Sequence, residues 1–221
     1  LENYTTPDLA NGGTMKKTER YRWTWLKRAF DPTFLGPAST NSTQEIKKSG
    51  AHDFTSLFAM VDALNAPSPE PYTSHTEGIM DVEQTMGMFA FEHIINNFDS
   101  WGHTIGKNMY HYKPPNGKSQ LYAFDLDWLM LVSVGGPGNY PATTGPLFAS
   151  EDPTVTRMYN HPPFRRAYFR AVQAAVDGPL LAANCDPVMD AKYQSLLDNG
   201  VTLCDGQALA APTDVKQWFS E

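Results

Sequence analysis

Between Asp81 and Phe124 the hydrophobic pattern changes period once, and that change confines the chain to a mixed α and β fold. From Asp81 onward, Val82, Met86, Phe89, Ala90, His93, Ile94 and Asn97 fall on one face of a helix, the spacing of an amphipathic element. From Met109 the period becomes two. Met109–Lys113 and Ser119–Phe124 flank Pro114-Pro115-Asn116-Gly117, and Asn-Gly between β-prone runs is a strong hairpin signal. Asp99 therefore emerges where the helix stops, and the second strand delivers Asp125 and Asp127 at its C-terminal end. The pattern predicts an α+β domain, mainly helical, with a central β-hairpin.

The remaining segments fit that frame. Residues 1–15 are polar and read as a lead-in or connector, ahead of a domain over 16–221. Glu19–Phe30 has helical spacing, Asp31-Pro32 stops it, and the polar stretch Gly36–Gly50 reads as loop. Phe54, Leu57, Phe58, Val61 and Leu64 predict a helix with Asp53 as N-cap, ended by the Pro-rich run Ala66–Pro71. Gly135–Pro146 is turn material without the spacing of a phosphate cradle. Pro162-Pro163 opens a helix that Gly178-Pro179 closes, another runs from about Pro187 to Asp198, and Val215–Phe219 forms a short amphipathic segment.

Composition excludes several classes. Hydrophobic content of 41% and charged content of 19% are those of a globular domain with a substantial core. A formal net charge of -7 argues against general nucleic-acid binding, and no apolar run approaches a membrane span. Cys185 and Cys204 have no zinc-spaced partners and are read either as two separate thiols or as a disulfide. The chain opens at Leu1 without a signal peptide, which suggests a processed product or a piece of a longer parent.

The chemistry-bearing residues are Asp99, Asn108, Asp125 and Asp127. If the strand stays extended through 127, its two carboxylates face one side, and two anions held together invite a cation. A carboxylate base, an amide in the following loop and a carboxylate after a strand are what a phosphoryl-transfer site uses to orient a hydroxyl and hold Mg²⁺. His93, on the apolar helix face, reads as a core histidine. His103 and Lys107 are candidates for phosphate contact, set against a reading as surface-loop residues.

Asn97-Phe98-Asp99-Ser100-Trp101-Gly102-His103, then Lys107-Asn108-Met109-Tyr110-His111-Tyr112, then Ala123-Phe124-Asp125-Leu126-Asp127 closely resemble the spore-coat protein H (CotH) kinase family. His161–Tyr168 and Asp177–Leu180 resemble the C-terminal region of bacterial members, so the resemblance runs from about residue 53 onward, with 16–30 matching more loosely. It implies an atypical protein-kinase-like fold, of which this chain is a C-lobe, transferring the γ-phosphoryl of ATP to Ser or Thr of a secreted, cell-surface or coat protein. On that resemblance Asp99 is the catalytic base, Asn108 and Asp125 hold Mg²⁺ against the ATP phosphates, and Asp127 binds a second metal or fixes the loop.

The chain has no His-Arg-Asp, Asp-Phe-Gly or Val-Ala-Ile-Lys motif of ordinary protein kinases. It also shows no match to the family's β-rich, nucleotide-gripping N-terminal lobe. We therefore expect the rest of a parent chain to supply that lobe, and the isolated chain to be weak or inactive. The alternative functions are a non-catalytic adhesion or coat-assembly module on the same fold, or a calcium-stabilised structural site at Asp125 and Asp127.

Overall fold

A computed structural model describes residues 14–18, 44–46, 55–97, 100–103, 109–126, 129–130, 148, 153–204 and 206–220. The elements run β1 (Thr14–Thr18), β2 (Gln44–Ile46), α1 (Thr55–Leu64), α2 (Tyr72–Ile79), α3 (Val82–Ile94), β3 (Met109–Lys113) and β4 (Gln120–Ala123). They continue with α4 (Pro153–Asn160), α5 (Pro162–Val176), α6 (Ala182–Asp198), β5 (Leu203–Cys204), β6 (Gln207–Ala208) and α7 (Thr213–Ser220). The fold is α+β and mainly helical. The helix expected over Glu19–Phe30, the N-cap at Asp53 and the turn at Gly135–Pro146 lie outside the described residues.

The expected hairpin is present as β3 and β4, paired antiparallel from Met109↔Ala123 to Tyr112↔Gln120. It is half of a larger sheet. β1 pairs with β3 along Thr14↔Lys113 to Thr18↔Met109, and β2 pairs with β1, giving the order β2-β1-β3-β4. Two strands thus arise where the sequence pattern points to a lead-in and a loop. Both are short and polar, and strand pairing depends on neighbours far along the chain that a local period does not reveal. The turn also differs from a two-residue Asn-Gly hairpin. Gly117 is instead needed for space, because a Cβ there would stand 2.5 Å from Pro114 Cγ.

α3 is the central helix, and its face reads as the period predicts. Met86, Phe89 and Ala90 are buried in the core with Tyr72, Met80, Trp101, Leu121, Tyr159, Phe164 and Tyr168. Asp81 caps α3, its carboxylate accepting from Gln84 N–H at 3.1 Å. Its own N–H is given to Ser119 O at 2.9 Å. Gln84 is therefore released from the reciprocal half of a capping box and turns to the sheet. Its Nε2 donates to Leu121 O at 2.5 Å, and its Oε1 accepts from Leu121 N–H at 3.0 Å. With the Met80–Ser119 bridge, these bonds fix β4, and so the run toward Asp125, against the start of α3.

α2 and α4 are not foreseen by the sequence pattern. α2 carries Gly78 and three hydroxyl residues, all poor helix interiors, yet buried Tyr72 holds it to the core. Arg157 of α4 lies over the Tyr72 ring, 3.8 Å from its centre, and donates to Leu64 O and Ala66 O at the end of α1. α5 matches its expected span, with Phe164, Ala167 and Tyr168 buried against α3. α6 starts five residues ahead of Pro187, which stands inside the helix.

Candidate functional site

The corner after α3 organises the site. Past Ile94 the chain leaves helical geometry at Asn96, whose φ of 51° is left-handed, a conformation asparagine tolerates better than most residues. Asn97 N–H reaches back to Glu92 O at 2.8 Å, Ser100 N–H to Asn97 O at 3.2 Å, and His103 N–H to Ser100 O at 3.2 Å. These bonds hold Asn97, Ser100 and His103 close to the end of α3, and Phe98 and Asp99 lie outside the described residues.

The loop is locked from beneath. Trp101 is fully buried, edge-on to Phe89 with ring centres 5.5 Å apart. Gly102 lies so close to Phe89 that a Cβ would stand 2.2 Å from Phe89 Cδ1. The hydroxyl of Tyr159, buried in α4, donates to Gly102 O. The His103 ring packs at a tilt against His93, centres 4.5 Å apart, and His93 Nδ1 is 3.0 Å from the Tyr168 hydroxyl. Trp101, Gly102 and His103 are thus held by side chains from α3, α4 and α5.

His103 is consequently not a surface residue. It is buried, and that burial pushes its imidazole down to about 4. A buried, neutral ring brings no positive charge to a phosphate. His93 is driven well below the usual histidine range, by burial first and by the neighbouring His103 second, in keeping with its reading as a core histidine. Lys107 lies outside the described residues.

The carboxylate segment follows the hairpin. β4 ends at Ala123, and Asp125 has a φ of 62°, so strand alternation does not carry through to Asp125. Strand alternation therefore does not put Asp125 and Asp127 on one face. Asp125 is exposed, and among the described residues its carboxylate makes no hydrogen bond or ion pair. An uncommitted carboxylate on backbone of unfavourable conformation is a common mark of functional loops, and as a hard oxygen donor it suits Mg²⁺. Asn108 and Asp127 lie outside the described residues, as Asp99 does. Among the described residues no group of three or more His, Cys, Asp or Glu is arranged to hold a metal ion.

Two further observations concern the end of α3. Met130 N–H, a few residues past Asp125, donates to Ile95 O at 2.9 Å, bringing that stretch of chain back to the end of α3. Asn97 and Ser100, both fully buried, keep their side-chain polar atoms without a partner among the described residues. Buried polar atoms of this kind are found where a site is kept for binding or chemistry.

Sequence reasoning missed Gln84, Gly102, Met130, Tyr159 and Trp218 as supports. Only Gln84 left a signal, the Asp81-x-x-Gln84 spacing of a helix start. The two cysteines are separate thiols, and Cys185 is raised by burial and by the adjacent Asp186. Among the described residues no helix is long and apolar enough to cross a membrane. The family model described as CotH kinase protein matches residues 9–202, well ahead of residue 53. Comparison with curated proteins gives no match.

Proposed function

Given that the chain belongs to the CotH kinase protein family, we propose that it forms the kinase-like C-lobe of a protein kinase that uses ATP and Mg²⁺ to phosphorylate Ser or Thr of secreted or coat proteins. The single observation that carries this reading is the Met130–Ile95 bond. It returns the stretch after Asp125 to the end of the helix that leads to Asp99, which supports the juxtaposition of base and metal carboxylates that phosphoryl transfer requires.

In this reading Asp99 accepts the proton of the substrate hydroxyl as its oxygen bonds to the γ-phosphorus and the bond to the leaving ADP oxygen breaks. Asn108 and Asp125 hold Mg²⁺, and Asp127 holds a second ion or fixes the loop. Bound Mg²⁺ supplies neutralisation of the phosphate charge. The chain's own share is positioning: the bonds of Tyr159, Gln84 and Met130 fix the two segments before substrate arrives, so little rearrangement is needed at the moment of reaction.

The test is ³²P transfer by the full-length parent alongside nucleotide binding. Asp99→Ala should abolish transfer and spare Mg²⁺–ATP binding, whereas Asp125→Ala should abolish both. Unchanged transfer in both variants sinks the kinase reading. Absence of nucleotide binding by the parent itself would favour an adhesive or assembly role.

A further inference from the structure

The C-terminal part of the chain buries one anchor. α6 is seventeen residues long and buries none of them. From Ala182 onward, among the described residues, Trp218 is the one buried side chain. α6 and α7 hold each other through Lys216 Nζ and Asp190 Oδ1 at 2.6 Å. α7 lies beyond the residues 9–202 that the family model matches.

The place where Trp218 sits gives this arm its meaning. Its indole N–H donates to Ile94 O at 2.7 Å, and Ile94 is the last residue of α3. Carbonyls at a helix C-terminus lack intrahelical partners and must find them elsewhere. The next carbonyl, Ile95 O, is taken by Met130 N–H. Two successive carbonyls at one corner are therefore satisfied from two distant segments, the C-terminal arm and the stretch following Asp125.

We infer that residues 182–220 form a positioning latch: Trp218, seated on Ile94, holds the corner from which both the Asn97–His103 loop and the Met130 segment are hung. An arm with a single buried anchor opens at lower cost than the α3–α5 core, so its docking is an equilibrium of its own. Anything that biases that docking biases the geometry of the corner, and the coupling is reciprocal. The consequence for phosphoryl transfer rests on the function proposed above. The latch itself does not.

Hydrogen exchange on the whole chain without ligand tests it. In Trp218→Phe, the amides of Asn97, Ser100, His103 and Met130 should exchange about tenfold faster, the effect of losing one ordinary hydrogen bond. Amides in α5 should keep their rates. Unchanged exchange at the corner overturns the inference, and so does equal acceleration throughout the protein, which marks a general stability role. A second measurement needs no variant. As denaturant is raised on the wild-type chain, the corner should lose protection together with α7, and a corner still protected after α7 has opened overturns the latch. In the full-length parent, Trp218→Phe should lower kcat severalfold with KM for ATP unchanged. If the parent transfers no phosphate while the exchange result holds, the kinase reading fails and the latch stands. If transfer occurs and the corner ignores Trp218, the reverse is true.

Discussion

Met130 N–H and Ile95 O lie 2.9 Å apart, although 34 residues of loop and hairpin separate them in sequence. The contact brings the stretch that follows Asp125 back to the end of α3, the helix that precedes Asp99 in sequence.

Tyr159→Phe should weaken the hold on Gly102. It removes the donor to Gly102 O and leaves a carbonyl without its bond in a buried setting, a cost of about 1–3 kcal/mol. Urea unfolding should show that loss. Phosphoryl transfer by the parent should fall in kcat more than in KM, because the loop is held out of register rather than removed.

Gly102→Ala should be more damaging than a methyl group usually is. The new Cβ would meet the Phe89 ring at 2.2 Å, and Phe89 is itself wedged against Trp101. Overpacking of this kind costs about 1–3 kcal/mol. The companion variant Gly102→Ala/Phe89→Leu should recover part of the stability in thermal unfolding, and no recovery would show that the clash is not the cause.

Acid should destabilise the protein in a defined window. Unfolded histidine takes up a proton near pH 6.5, whereas folded His103 does so only near 4. Between these values the unfolded state binds more protons, so stability is complete above about pH 6.5 and declines as the pH falls toward 4. His103 alone accounts for about 3 kcal/mol at full extent, and His93 acts in the same direction. Urea midpoints measured from pH 7.5 to 4.5 should trace this decline, and His103→Gln should flatten it.

Gln84→Leu removes both bonds to Leu121 while keeping a side chain of similar bulk. The backbone groups of Leu121 lose their partners, at a cost of about 1–3 kcal/mol. Hydrogen exchange should show faster loss of protection in β4 than in α5. Equal rates in both would mean that the hairpin is held by its own pairing.

The α3 face, the hairpin and α5 could be read from sequence because each is an element whose own period matches its burial. α2 and α4 could not. Tyr72 and Arg157 stabilise them through contacts with each other and with α1, and no local pattern encodes a partner 85 residues away. β1 and β2 are short polar runs made strands by β3. At the site, the residue types of Asp99, Asn108, Asp125 and Asp127 were legible as chemistry. What holds their segments was not, because Tyr159, Gln84 and Met130 act through backbone carbonyls and amides, which every residue possesses. His103 was misplaced for a related reason: its loop looks polar in sequence, yet Trp101 draws it into the core.

β4 lies at the outer edge of the four-stranded sheet, where unpaired backbone groups would invite a strand from another molecule. The Gln84 amide occupies the rung at Leu121, and residues 79–81 occupy the one at Ser119. The side chain that holds β4 to α3 thereby also covers part of this edge, so Gln84→Leu should raise the tendency to aggregate as well as lower stability.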